Sequence, residues 1–97
     1  MYAQAVRIQI QPGKIDEAIS IFRDSVAPAV REQNGFKSVY LLIDRETNKG
    51  IGLSLWETEA DVAALATSGF YQEQTGKFAT VFAGSPEREV YEVAVQA

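Results

Sequence analysis

"FKSVYLLIDRETNKGIGLSLWE", residues 36–57, carries the pattern from which the fold is read. Residues 36–43 are β-branched and aromatic, 44–50 are polar, and 51–57 return to apolar residues. Two such runs joined by a short polar link predict a β-hairpin. Successive side chains on a strand point to opposite faces. In the first run Lys37, Val39, Leu41 and Ile43 alternate with Ser38, Tyr40 and Leu42; in the second, Ile51, Leu53 and Leu55 alternate with Gly52, Ser54 and Trp56. Both sets are largely apolar, and a sheet apolar on both faces is buried on both faces.

Upstream, "YAQAVRIQI" (2–10) alternates Val6, Ile8 and Ile10 with Arg7 and Gln9, the signature of a half-buried strand, and Pro12–Gly13 ends it. Residues 14–33 place Ile15, Ile19, Phe22, Val26 and Val30 on one helical stripe, with Asp16 and Glu17 in the first turn, where the helix dipole favours them. Pro28 withdraws a hydrogen bond from the Asp24 carbonyl and predicts a kink or break over 25–28, and Gly35 suits a left-handed cap. Downstream, Thr58 is an N-cap candidate with Asp61 three residues on, a relative of the capping box. "EADVAALA" predicts a short helix, Gly69 punctuates it, and "FYQEQTGKFATVFA" (70–83) predicts another. Phe70, Gln74, Phe78 and Val81 or Phe82 lie on one side of that second helix, and Gly76 weakens it. "REVYEVAV" (88–95) closes as a strand.

The order β-α-β-β-α(α)-β is the ferredoxin-like, split βαβ arrangement of the α+β class: a four-stranded antiparallel sheet with helices on one face. The helices cover one apolar face. In a chain of 97 residues, read as one domain over 1–97, the other face requires a second molecule, and an identical copy in a two-fold homodimer is the expectation.

Composition excludes more than it asserts. Apolar residues make up 46% and charged residues 23%, as in an ordinary globular protein. There is no cysteine and no histidine, which removes disulfides, thiolate or imidazole metal sites, thiol nucleophiles, imidazole bases and haem on a proximal histidine. No metal and no cofactor is expected. A net charge of −4, with nine scattered Lys and Arg, argues against nucleic acid. No apolar run approaches the ~20 residues that span a membrane. The first residues lack the basic and hydrophobic blocks of a signal peptide, so the cytoplasm is the expected location.

The chain resembles the antibiotic biosynthesis monooxygenase (ABM) domain family, within the dimeric α/β-barrel superfamily. The resemblance runs from "RIQIQPGKIDEAISIFRDSVAPAVREQNGF" through the "DRETNKG" turn and the tryptophan closing the third strand, to "GFYQEQ" and "REVYEV". It implies two sandwiches joined sheet to sheet, and a small-molecule cavity in each subunit between sheet and helices. Activities known in the family include cofactor-independent oxygenation of aromatic polyketides, quinol oxidation and haem degradation. The haem-degrading branch has a tryptophan where this chain has Trp56, but also an asparagine where Val6 stands and a histidine on its second helix, and this chain has none. The polyketide-oxidising branch has an asparagine where Gly52 stands. Of the family's catalytic sets only the tryptophan carries over, so no catalytic residue is named.

Gly52 and Ser54 beside Trp56 leave a recess that either a helix or a ligand fills. On one reading Trp56 is core; on the other it walls a pocket for a flat apolar molecule. The candidate substrate contacts are then Trp56, Ser54, Tyr40 and Ser38, with Arg7 to hold a phenolate, enolate or carboxylate if it faces the recess, and Tyr71 as a phenol. Tyr2 and Tyr91 are further phenols, and Glu57 and Glu59 read as helix-start electrostatics. Two functions stay open: a cofactor-independent oxygenase of a small aromatic or quinol-type molecule, or a non-catalytic dimeric ligand-binding or structural module. The first predicts an open cavity against Trp56; the second predicts a recess filled by helix one and residues 70–82.

Overall fold

The computed structural model describes all residues, Met1–Ala97. Strand β1 is Tyr2–Gln9, β2 Phe36–Asp44, β3 Lys49–Trp56 and β4 Glu87–Glu92. They form one antiparallel sheet in the order β2-β3-β1-β4, the ferredoxin-like topology. Between β1 and β2 lie α1 (Ile15–Ile21), a π-helical stretch (Phe22–Val26) and α2 (Ala27–Arg31); between β3 and β4 lie α3 (Glu59–Thr67) and α4 (Phe70–Gly76).

The break expected near Pro28 is a π-bulge. The Ala27 N–H bonds to the Phe22 carbonyl, five residues back, which widens the turn just before the proline that cannot donate. The capping box at Thr58 is complete: Thr58 Oγ1 accepts from the Asp61 N–H at 3.2 Å, and the Asp61 carboxylate accepts from the Thr58 N–H at 3.2 Å. The helix expected over 70–83 stops at Gly76. Beyond it Phe78 and Val81 bond back three residues in tight turns, because glycine weakens the helix and Gln11 and Gln9 of the first strand's end capture the Val81 carbonyl and the Ala83 N–H. The last strand is shorter than expected, ending at Glu92.

Cross-strand register assigns the faces. Trp56 pairs with Phe36 and Tyr2, Ser54 with Val39 and Gln4, Gly52 with Leu41 and Val6; these side chains face the helices. There Trp56, Ile10, Val62 and Val81 are fully buried at the centre of the core. The opposite face carries Ser38, Tyr40 and Leu42, then Ile51, Leu53 and Leu55, then Ala3, Ala5 and Arg7, and at the edge Glu87, Glu89 and Tyr91. No helix covers this second face, and Tyr40, Leu42 and Tyr91 are 50%, 47% and 52% exposed on it.

Candidate functional site

The helix-facing side of the sheet does not close on the helices completely. A cleft lies between them whose empty space, with the solvent at its mouth included, is about 650 Å³. The sheet contributes Gln4, Val6, Val39, Gly52, Ser54 and Trp56; the helical layer contributes Phe22 and Val26 from the π-bulge, and Phe70, Tyr71, Gln74 and Phe78 from α4 and its exit. Gly52 leaves the floor low: a Cβ there would meet only the Phe22 ring, at 3.7 Å, an ordinary contact.

Trp56 is both core and wall. Its ring is fully buried, meets Phe36 edge to face at 5.9 Å, and lines the cavity. Its Nε1–H donates to Ser54 Oγ at 2.8 Å, so the Ser54 hydroxyl proton, which no protein group accepts, is left to donate.

Three buried polar side chains line the cavity: Gln4, Ser54 and Gln74. Gln4 is oriented by Arg88, whose Nε donates to Gln4 Oε1 at 2.6 Å while its Nη2 donates to the Val62 carbonyl at 3.1 Å. Arginine is donor-only, so this bond fixes the amide and leaves the Gln4 Nε2 hydrogens free of protein partners. The Arg88 guanidinium also sits 5.7 Å from the Tyr71 ring centre. Burial pushes the Tyr71 phenol above its usual range, with Arg88 opposing, so at neutral pH Tyr71 is a proton donor and not a base. No aspartate, glutamate or lysine lines the cavity.

Of the six candidate contacts, the structure brings Trp56, Ser54 and Tyr71 together around the cavity and places Tyr40, Ser38 and Arg7 on the opposite face of the sheet. A β-bulge causes the first departure. Continued without a shift, the Phe36–Trp56 pairing would set Ser38 against Ser54 and Tyr40 against Gly52. The irregularity between Phe36 and Ser38 instead pairs Ser38 with Leu55 and Tyr40 with Leu53, turning both away. Arg7 pairs with Ile51, one residue out of step with Trp56. It bonds Glu89 Oε1 at 2.6 Å, and Tyr91 donates to the other carboxylate oxygen at 2.9 Å.

Those two bonds, Arg7 first, hold the Glu89 carboxyl below its usual range. A depressed carboxylate keeps its partners above its ordinary pKa and loses them as pH falls through the lowered value. An NMR titration of the Glu89 carboxyl is expected to give that low midpoint, and Arg7→Gln to raise it toward an ordinary glutamate. An unchanged midpoint in the variant contradicts the assignment.

The polar residues at the cavity that the sequence did not single out as candidates are Gln4 and Gln74, with Arg88 behind Gln4. Gln74 had a visible signal, a lone amide in the Phe70–Phe78 aromatic stripe. Gln4 shares parity with Val6 and Ile8 on β1, and Arg88 had no signal before β4 was paired.

Comparison with known proteins agrees with this architecture. The family model "Antibiotic biosynthesis monooxygenase" matches residues 1–82. The chain belongs to that family. Two uncharacterised proteins of Mycobacterium tuberculosis, Rv2558 and Rv2557, are each 35% identical to it over 96 and 94 residues; the chain spans 39% and 41% of their length, with 98% and 97% of itself matched. Among solved structures, MhuD of M. tuberculosis, a heme-degrader with two hemes bound in its active site, is 20% identical with a TM-score of 0.80, covering 100% of this chain and 99% of its own. NE2512 of Nitrosomonas europaea, a protein of unknown function, is 17% identical with a TM-score of 0.80, covering 99% and 91%. At these identities the likeness is one of fold, and the ABM fold is the one built above.

Proposed function

We propose that this ABM-family chain, whose residues 1–97 form one domain, is a cytoplasmic cofactor-independent monooxygenase acting on a small aromatic or quinol-type molecule held between sheet and helices. The observation that carries the reading is the open, aromatic-walled cavity against Trp56, where a filled recess would have left no site. An electron-rich ring anion reduces oxygen itself. When a ring CH₂ becomes a carbonyl, one oxygen atom enters the ring, the other leaves as water with the two hydrogens, and all four electrons come from the substrate.

The chain's part is to hold the ring, exclude water and stabilise the anion. The free Gln4 Nε2 hydrogens and the Ser54 hydroxyl are the donors for a ring oxygen that gathers negative charge, with the Arg88 cation behind Gln4. The lining offers no carboxylate, lysine or histidine as base, so the reacting oxygen gives up its proton to solvent before the ring enters and is bound as the anion. The same want of a base favours a second reading, a dimeric module that binds such a ligand without turning it over. Nothing of MhuD's hemes is carried to this chain, which has neither imidazole nor thiolate to hold iron.

Oxygen uptake with a panel of quinols and anthrones separates the two. Turnover above the protein-free rate is expected, with KM raised several-fold by Gly52→Ala. That methyl enters the cavity, yet stability should stay within about 1 kcal/mol of the parent, because it meets only the Phe22 edge. No turnover anywhere in the panel retires the enzyme and leaves the binding module.

The homodimer belongs to this proposal. The uncovered face, with Tyr40, Leu42, Ile51, Leu53 and Leu55 contiguous across β2 and β3, is the surface a second copy would cover. Analytical ultracentrifugation should give a dimer at low micromolar concentration; a well-folded monomer there rejects it.

A further inference from the structure

Gln74 Oε1 is buried and has no hydrogen-bond partner within the protein. The residue is 6% exposed, lines the cavity from α4, and sits one helical turn after Phe70 and four residues before Phe78, which lies past the helix end. An unmatched buried carbonyl of this kind is destabilising, and an apolar side chain of similar size in its place avoids the cost. Stability therefore gives no reason for the amide, whereas a ligand does. Among the other polar groups of the cavity, Gln4 Nε2 and Ser54 Oγ–H are donors, each made so by a partner on its far side. Gln74 Oε1 supplies the opposite character.

We propose that Gln74 is the specificity-determining residue of the cavity, accepting a hydrogen bond from an un-ionised hydroxyl on the bound ring, while Gln4 and Ser54 donate to a second ring oxygen. The substrate class this selects is a ring bearing both a hydroxyl and a further oxygen, since an aryl ether at the Gln74 end leaves Oε1 unmatched. This rests on the cavity being a binding site for small aromatics and names which of them it takes. The hydroxyl that meets Gln74 is not the oxygen that gathers charge, so one end of the ligand keeps its proton while the other loses it.

Isothermal titration calorimetry with 1-naphthol and 1-methoxynaphthalene, at a pH where naphthol is neutral, tests the assignment. The parent protein is expected to bind naphthol about tenfold more tightly than the ether, the worth of one satisfied buried acceptor. In Gln74→Leu the preference should vanish, through weaker naphthol binding with ether binding retained or improved. Thermal unfolding of the variant should be no lower than the parent's, because an unmatched acceptor has gone. Gln74→Met, unbranched and of similar length, is a second apolar replacement with the same expectation. Equal binding of the two ligands to the parent, or a preference that survives both substitutions, overturns the role of Gln74 and leaves the cavity as a binding site. Failure of the parent to bind either ligand overturns both.

Discussion

Replacing Trp56 with alanine is expected to cost about 3–5 kcal/mol of stability, the range for emptying a fully buried aromatic site. The ring is at the centre of the core, packs on the edge of Phe36, and gives its one N–H to Ser54. Its neighbours cannot collapse into the space, because Gly52 and Ser54 offer no bulk and a cavity already lies alongside. A small domain holds about 5–15 kcal/mol in all, so the variant sits near the edge of folding. Trp56→Phe should cost less, about 1–3 kcal/mol, keeping most of the packing and losing the N–H. Urea denaturation of the two variants measures the difference, and a Trp56→Ala loss below about 1 kcal/mol contradicts the placement of the ring in the core. Activity lost in Trp56→Ala would therefore say little about chemistry, and Trp56→Phe or Gly52→Ala is the better probe of the cavity.

The second large effect is expected at Gly35. Its φ is +80°, and a Cβ there would run into the Asp61 carboxylate that closes the capping box with Thr58. Gly35→Ala brings both the left-handed penalty, about 1–2 kcal/mol, and disruption of the cap, about 0.5–2 kcal/mol. Together they predict a loss of about 1.5–4 kcal/mol. The two parts separate in a double-mutant cycle. With Asp61→Ala as background the carboxylate is gone and only the Cβ of residue 61, 2.9 Å away, has to give way, so Gly35→Ala should cost less than in the parent. Strict additivity of the two substitutions would show that Gly35 and Asp61 do not meet. The contact also ties the end of the first helical segment to the start of α3, since the Gly35 carbonyl accepts the Glu57 N–H at 2.8 Å.

Elements whose cause is local were legible in the chain. The polar link at 44–50 announced the hairpin, Thr58 with Asp61 announced the cap, and Pro28 announced the disturbance that became the π-bulge. Relations across strands were less so. Gly52 and Ser54 beside the bulk of Trp56 identified a recess, yet which side chains share it depends on parity. The bulge after Phe36 turns on backbone geometry that no residue type near Lys37 announces, and it sent Ser38 and Tyr40 to the far face. Arg7 fell on that face for the simpler reason that it is out of phase with Gln4, Val6 and Ile8. The polar residues of the cavity were hidden for a third reason. Gln4 looks like an ordinary surface amide until the pairing of β1 buries it, Gln74 shows only as a lone amide in an aromatic stripe, and Arg88 reaches Gln4 from 84 residues away.

The single indole of this chain also has an optical consequence. It is shielded from solvent, and one of its sides borders the chamber. Its emission therefore belongs to one site alone, and any guest that enters must come against the fluorophore or its immediate neighbours. Occupancy can thus be followed by light in the unlabelled molecule, with each tryptophan photon reporting on the same few side chains that make the chamber.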